Sequence, residues 1–193
     1  MEAFRGPVAR TLLVIATTAA LLQPIQSLDE RVQGTVQASR APATEGVMRA
    51  ATRVGNPGLV FGGLLAIAVL GGPVGVATAR AALAVLLPVN VVVELMKLGF
   101  GRTRPDHVPD RRNSSFPSSH AANAFALAIV LARRWRRGTP VFLLLAGLVA
   151  YSRMYLNRHF LSDVVFAAIL GVGVALFVLE RLRGTAWSWE PRR

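Results

Sequence analysis

The chain has 193 residues, of which 53% are hydrophobic, and it carries a formal net charge of +12 with no cysteine. This composition is too apolar for an ordinary soluble domain, and it excludes a disulfide framework, thiolate catalysis and cysteine-based metal sites. The basic residues are scattered between apolar runs instead of forming one soluble face, which argues against nucleic-acid binding.

The amino-terminal part begins with a weak apolar run at residues 11–22, preceded by Arg5 and Arg10. A basic start before a short apolar core also describes a secretory signal peptide, but no clear small-x-small cleavage site follows. We therefore favour a first membrane span within residues 1–28. Residues 29–57 are mixed in character and predict an outer loop with a possible interfacial helix.

Five further apolar runs predict membrane-spanning helices, at residues 58–77, 81–96, 113–132, 138–152 and 164–179. Only three residues separate the first two runs, and we expect a tight turn there, at Ala79 and Arg80. Pro88 predicts a kink in the second run. Glu94 stands three residues before Lys97, a spacing that favours a helical ion pair.

The predicted fold is an all-α, polytopic membrane helix bundle of about six transmembrane helices, in one domain covering residues 1–193. Arginines are denser in the short segments that face the side of the amino terminus. We therefore expect both termini inside, with residues 180–193 as a cytoplasmic tail, and the cytoplasmic (plasma) membrane as the location.

Three polar stretches then open on the outer face. The first runs from Lys97 to Arg104 and Pro105, and offers a compact cation and a planar fork suited to two phosphate oxygens. Taken alone, a snorkelling lysine with an interfacial arginine explains it as well. The second stretch is residues 116–120, in which Ser118 is a natural N-cap and His120 falls in the first helical turn. Taken alone, this pattern is also typical of a simple helix cap.

The third stretch, residues 152–163, lies between two apolar runs and contains Ser152, Arg153, Arg158, His159 and Asp163. Such groups at membrane depth are costly and point to a functional site, although an interfacial anchor is the plainer interpretation. His159 and Asp163 stand four residues apart, so a helix would bring them within reach. An aspartate on one imidazole nitrogen would leave the other free as a base or nucleophile.

The order and spacing of these stretches are more specific than any one of them. Lys97 precedes Arg104-Pro105 by six intervening residues, Pro117-Ser-Ser-His120 follows, and Ser152-Arg153 precedes His159 by five and Asp163 by three more. The pattern resembles the tripartite signature of the phosphatidic acid phosphatase type 2 superfamily, in its membrane lipid phosphatase branch. One departure is Ser119, where the middle motif usually has glycine; its backbone N–H remains available.

This resemblance implies a role for each matching residue. His159 would attack phosphorus and form a phosphohistidine, Asp163 would orient it, and His120 would act as general acid and then as base. The remaining residues would hold the phosphoryl oxygens: Lys97, Arg104, Ser118, Ser119 and Arg153. Clustered cations can supply the charge stabilisation that phosphoryl transfer needs, so we expect no metal and no cofactor.

Other polar residues have plainer interpretations. His107 could join Asp106 and Asp110 in a metal site, but the proline-rich surroundings favour a loop. Three arginines could meet a lipid headgroup or a diphosphate, or remain solvated at the interface: Arg111, Arg112 and Arg158.

The resemblance implies a hydrolase that acts on a lipid phosphate, such as a polyprenyl diphosphate, phosphatidic acid or phosphatidylglycerol phosphate. One alternative is a polyprenyl-phosphosugar phosphatase of cell-envelope synthesis, and another is a non-catalytic transporter or assembly protein. Six apolar spans argue against the soluble haloperoxidases of the superfamily. The sequence does not determine the oligomeric state or the headgroup.

Overall fold

The computed structural model describes residues 24–107 and 114–183. Within these ranges the regular structure is entirely helical, which confirms the predicted all-α class. The predicted span at residues 11–22 and most of the tail lie outside the described residues.

The helices that precede the three polar stretches are α1 (residues 24–38), α2 (Pro42–Val54) and α3 (Pro57–Leu70). Asn56 caps α3 by accepting a hydrogen bond from the Gly58 N–H at 2.9 Å, and Pro57 occupies the first helical position, where its missing N–H costs nothing. This cap separates α2 from α3, and their axes meet at a bend of 61°.

The next helix, α4 (Gly72–Phe100), runs without a break through Ala79 and Arg80, so the predicted turn at these residues is wrong. The chain turns instead at Gly71 and Gly72, and Gly72 adopts a φ of +58° that glycine tolerates best. The turn also brings α4 so close to α3 that a Cβ on Gly75 would lie 2.0 Å from the Ile67 carbonyl oxygen. Arg80 does not end the helix, because it lies exposed on the surface of α4 while its neighbour Ala79 faces the core.

The second half contains α5 (Ser119–Arg134), α6 (Thr139–Tyr155) and α7 (Leu161–Arg181), with a short 3₁₀ turn at Arg136–Gly138. Helix α5 packs against α4, α6 and α7 and is the centre of the bundle. Small residues allow this close packing. Ala122 is fully buried, and a Cβ on Gly171 of α7 would lie 2.3 Å from its carbonyl oxygen.

Within the described ranges, α4 and α7 are long and apolar enough to cross a bilayer, and α2 with α3 counts as a third span if the bent pair is one unit. Helices α5 and α6 have 16 and 17 residues, which is short of the ~20 that a free-standing span needs. Short helices can be accommodated inside a bundle, where their ends contact protein instead of lipid.

Four helix ends meet on one side of the bundle: the carboxyl ends of α4 and α6, and the amino ends of α5 and α7. Helix α4 ends at Gly101, whose φ of +55° is the left-handed conformation typical of a glycine C-cap. The three polar stretches of the sequence are therefore brought to the same end of the structure.

Candidate active site

His159 lies in the short connection between α6 and α7 and is almost fully buried. Its Nδ1 atom lies 2.7 Å from the backbone carbonyl oxygen of Ser115, which fixes that nitrogen as the protonated one in the neutral ring. The Nε2 atom is then the one with the free lone pair. Burial lowers the pKa of His159 to about 4, with Arg153 and Arg104 acting in the same direction and Asp163 opposing them.

The free Nε2 atom of His159 faces Arg104. The Arg104 Nη1 atom lies 3.5 Å from Nε2 and donates a hydrogen bond of 3.1 Å to the Arg158 carbonyl oxygen. The backbone of the histidine loop thereby holds a buried guanidinium beside the unprotonated nitrogen. A phosphoryl group bound beside these two atoms would contact both.

His120 lies in the first turn of α5, as the sequence predicted. Four groups lie within charge–charge interaction range of its ring: Arg153, His159, Lys97 and Arg104. The two predicted catalytic imidazoles and the three predicted phosphate-binding cations are therefore brought to one site.

Lys97 is held from two sides at the end of α4. Its ammonium group donates hydrogen bonds to Glu94 Oε1 at 2.8 Å and to Ser119 Oγ at 2.6 Å. The predicted Glu94–Lys97 ion pair is therefore present. The contact with Ser119 joins the first polar stretch to the second.

Ser118 is the N-cap of α5, as predicted, but its polar groups are already engaged. Its hydroxyl accepts a long hydrogen bond of 3.5 Å from the Ala121 N–H, and its own N–H donates to the Asp163 carbonyl oxygen at 3.3 Å. The Ser118 side chain is fully buried in the cap, and its contact with a phosphoryl oxygen stays a prediction. The amides of Ser119 and His120 have no hydrogen-bond acceptor within the described residues and remain available at the helix end.

Arg153, near the carboxyl end of α6, is buried and only partly satisfied. Its Nη1 atom donates to Thr52 Oγ1 of α2 at 2.7 Å, whereas its Nε atom has no hydrogen-bond partner within the described residues. A buried guanidinium N–H without an acceptor is costly. An anion in the site would supply that acceptor.

Asp163 lies beside His159, as the sequence predicted, but at ion-pair distance and without a direct hydrogen bond. Its Oδ2 atom lies 3.8 Å from His159 Nδ1, too far for a hydrogen bond, because the Ser115 carbonyl occupies that position. The carboxylate instead accepts hydrogen bonds from the Ser115 hydroxyl, from the Phe160 N–H at 2.8 Å and from Arg102 Nη1 at 2.6 Å. It remains close enough to stabilise positive charge on the ring.

Three residues of this arrangement were missed in the sequence: Asp29, Arg102 and Ser115. Arg102 precedes the predicted Arg104 by two positions, so an Arg-Thr-Arg segment was the only local signal. Ser115 contacts His159 through its backbone carbonyl, which residue identity cannot reveal. Asp29 is separated from Arg102 by 73 positions and contacts it at 2.7 Å, a long-range pairing with no local pattern.

The structure places His107 and Asp106 in a turn, which is the loop that their surroundings predicted. His107 lies in a turn with a φ of +56°, and no cluster of three metal-ligating side chains occurs in residues 24–107 and 114–183. Asp106 forms an ion pair of 2.8 Å with Arg158. Asp110, Arg111 and Arg112 lie outside the described residues.

Comparison with known proteins gives consistent results. The sequence model of the PAP2 (phosphatidic acid phosphatase type 2) superfamily matches residues 77–185 of this chain. The chain is 34% identical over 95 residues to decaprenylphosphoryl-5-phosphoribose phosphatase of Mycobacterium tuberculosis, covering 46% of this chain and 52% of that protein. It is 45% identical over 58 residues to lipid A 4'-phosphatase of Bacteroides thetaiotaomicron, covering 29% of this chain and 26% of that protein. The chain thus spans about half the length, or less, of these curated relatives.

Two solved structures share the fold. LpxE of Aquifex aeolicus superposes with a TM-score of 0.70 at 22% identity, covering 79% of this chain and 95% of that one. A transmembrane PAP2-type phosphatidylglycerolphosphate phosphatase of Bacillus subtilis gives a TM-score of 0.69 at 25% identity, covering 89% and 93%. Together with the apolar helices α4 and α7, the second neighbour identifies an integral membrane protein.

Proposed function

This chain belongs to the PAP2 superfamily, and on that premise we propose that it is a membrane lipid phosphatase that hydrolyses a phosphomonoester or diphosphate through a phosphohistidine. The observation that carries the proposal is the state of His159. Its Nδ1 atom is committed to the Ser115 carbonyl, and its Nε2 atom points at the Arg104 guanidinium. A nucleophilic nitrogen beside a fixed cation is the arrangement that in-line attack on a phosphoryl group requires.

In the first step the Nε2 lone pair of His159 forms a bond to phosphorus as the bond from phosphorus to the leaving oxygen breaks. His120 delivers a proton to that oxygen. In the second step His120 takes a proton from water, the water oxygen bonds to phosphorus, and the bond from phosphorus to Nε2 breaks. The sequence releases phosphate and restores both imidazoles.

The phosphoryl oxygens would be held by Lys97, Arg104 and Arg153 together with the free amides of Ser119 and His120. The Arg153 Nε atom, which is buried without an acceptor, supports this assignment. Helix N-terminal amides add further donors for an anion. Asp163 would stabilise the cationic ring of the phosphohistidine from a distance of 3.8 Å.

We propose that the reaction needs no metal ion, because three cations and the helix-end amides supply the positive charge that phosphoryl transfer requires. Full activity in EDTA supports this mechanism. Loss of activity in EDTA that a divalent ion restores would contradict it.

The substrate we propose is a lipid phosphate, with polyprenyl diphosphate, phosphatidic acid and phosphatidylglycerol phosphate as the main classes. The similarity to the M. tuberculosis decaprenylphosphoryl-5-phosphoribose phosphatase favours a second candidate, a polyprenyl-phosphosugar. A non-catalytic membrane protein is the alternative that an assay would exclude.

For the membrane arrangement we propose six spans in a single domain. Residues within 1–28 form the first span, and helices α3 to α7 form the others. The density of arginines favours termini inside the cytoplasmic membrane and a site that faces outward. A reporter fused after Arg193 would then be active only in the cytoplasm, and activity only on the outer side would contradict this orientation.

The experiment that tests the function is phosphate release by the purified, detergent-solubilised protein from a panel of these lipid phosphates. We expect turnover of at least one class by the wild type and loss of turnover in His159→Ala and His120→Ala. Arg183→Ala, which removes an exposed cation paired with Glu180 at the opposite end of the bundle, is the matched control. Equal phosphate release by all four proteins would contradict the catalytic assignment.

A further inference from the structure

Helix α1 contacts the candidate site although it precedes the residues that match the family. Three polar residues on one face of α1, spaced four apart, point to the connection that carries His159. They are Asp29, Gln33 and Gln37. The two glutamines donate hydrogen bonds to backbone carbonyl oxygens at the end of α6, at 3.0 to 3.3 Å. This face of α1 therefore holds the histidine connection from outside.

Asp29 accepts three hydrogen bonds and is almost completely buried. Its Oδ1 atom accepts a hydrogen bond of 2.8 Å from the Ser162 N–H, one of the free amides at the start of α7. Its Oδ2 atom accepts from the Ser162 hydroxyl at 2.5 Å and from Arg102 Nη2 at 2.7 Å. Asp29 thus caps α7 from another helix and binds the arginine beside it.

Arg102 joins Asp29 to the site. Its Nη1 atom donates to Asp163 Oδ1 at 2.6 Å while its Nη2 atom donates to Asp29, and its guanidinium lies 4.5 Å from the centre of the Phe160 ring. The planar fork is shared between two carboxylates, a geometry that a lysine ammonium cannot reproduce. A row of paired charges therefore runs from Asp29 through Arg102 to Asp163, whose carboxylate lies 3.8 Å from the His159 ring.

We infer that Asp29 and Arg102 are positioning residues for the phosphoryl-transfer reaction, acting as one unit on Asp163; the inference rests on the proposed function. Neither residue needs to touch the substrate. Arg102 fixes the orientation of the Asp163 carboxylate, and Asp29 fixes Arg102.

The charge of Asp29 matters as well as its shape. Alone beside Asp163, the Arg102 cation would offset the negative charge that Asp163 presents to the His159 ring. Asp29 supplies a second negative charge on the far side of Arg102 and balances it, because Coulomb interactions in a buried site are weakly screened. Asp163 thereby keeps its ability to stabilise the cationic phosphohistidine.

The test is steady-state kinetics on the most active lipid phosphate of the panel, with Asp29→Asn, Arg102→Lys, Arg102→Gln and the double variant Asp29→Asn/Arg102→Gln. We expect each single variant to lower kcat by about tenfold or more while KM stays within about twofold, because charge-assisted hydrogen bonds are lost but no phosphate ligand is removed. The double variant should be no slower than the slower single variant, since residues that act as one unit do not lose activity additively.

Glu30→Gln is the matched control, because Glu30 is the next residue on α1, is exposed, and gives the same change in charge. We expect its kcat to stay within about twofold of the wild type. Thermal unfolding in detergent checks that each variant is folded. If Asp29→Asn does not fold, Arg102→Lys alone tests the inference, because lysine keeps the positive charge and removes only the planar guanidinium.

Wild-type kcat in Asp29→Asn and Arg102→Lys, or multiplied losses in the double variant, would overturn the inference. A rise in KM at unchanged kcat in these variants would also overturn the inference. A wild type that releases no phosphate from any lipid would overturn the proposed function and this inference with it. An active wild type with unchanged variants would overturn the inference alone.

Discussion

The His159 Nδ1 atom lies 2.7 Å from the Ser115 carbonyl oxygen, and the Ser115 hydroxyl donates to Asp163 in the same structure. One serine therefore touches both members of the predicted His–Asp pair. The pair is joined through this residue instead of by a direct hydrogen bond, since His159 and Asp163 are separated by 3.8 Å.

Replacement of Ser115 with alanine should slow catalysis without unfolding the site. The Ser115→Ala variant keeps the backbone carbonyl on His159 but removes the hydroxyl from the buried Asp163 carboxylate. Loss of a hydrogen bond to a charged group is worth about 1.5–3 kcal/mol, so we expect kcat to fall about tenfold or more. Phosphate release is the measurement, with Ser39→Ala at an exposed position as control. Unchanged kcat would show that the hydroxyl is dispensable.

The depressed pKa of His159 predicts activity that persists in acid. The neutral ring is the nucleophile, and its pKa is lowered from 6.5 to about 4, so protonation does not compete until the pH falls well below 6.5. The acid limb of kcat/KM, which reports the free enzyme, should therefore lie below pH 6. A soluble short-chain phosphate ester, assayed between pH 4 and 8, gives this profile. An acid limb at or above pH 6.5 would contradict the burial argument.

Substitution of Gly55 should displace His120. A Cβ at Gly55 would lie 2.7 Å from Val149 Cγ1 and 3.2 Å from His120 Cβ, although the backbone itself has an ordinary helical conformation. We expect Gly55→Ala to lower kcat and to cost about 1–3 kcal/mol of stability through overpacking. Phosphate release and thermal unfolding measure the two effects.

Gly46→Ala is the control for that substitution, because a Cβ on Gly46 has open space within 4 Å and lies in the middle of α2. It should leave turnover unchanged and stabilise the helix slightly. Equal behaviour of the two alanine variants would show that Gly55 does not constrain His120.

Replacement of Thr52 with valine should weaken substrate binding more than turnover. Thr52 Oγ1 is the acceptor that holds Arg153 Nη1 at 2.7 Å, and valine has nearly the same shape without that oxygen. Because Arg153 is proposed to bind the phosphoryl group, we expect KM to rise by about three- to tenfold, the effect of one lost hydrogen bond. Thr35→Val, at an exposed position of α1, is the control. A fall in kcat at constant KM would assign Thr52 a different role.

The sequence predicted those parts of the site that depend on local pattern. The N-cap at Ser118 and the ion pair of Glu94 with Lys97 follow from local spacing. The meeting of His120 with His159 was expected from the resemblance to the superfamily. The predicted turn at residues 79–80 was wrong. An arginine inside an apolar run suggested the end of a membrane-spanning helix, although α4 continues through it. Helix α4 accommodates Arg80 on its surface, and the two glycines at 71 and 72 end the preceding helix instead.

The parts that could not be predicted depend on the backbone and on distant residues. A carbonyl oxygen such as that of Ser115 exists at every position, so no residue type marks the one that holds His159. Asp29 looked like an ordinary polar residue of an outer loop. Only the packing of α1 against α7 shows that it is buried and bound to Arg102.

The bend between α2 and α3 has a consequence for how members of this superfamily can be recombined. Thr52 and Gly55, on the α2 side of that bend, contact or closely approach Arg153 and His120, yet both precede the stretch from 77 to 185 that matches the family model. A chimaera could inherit this stretch from one parent and its first 76 residues from another. The residues around positions 52 and 55 would then come from a different protein than the arginine and histidine that they pack against. Domain exchange within this fold should therefore carry the bend along with the motifs.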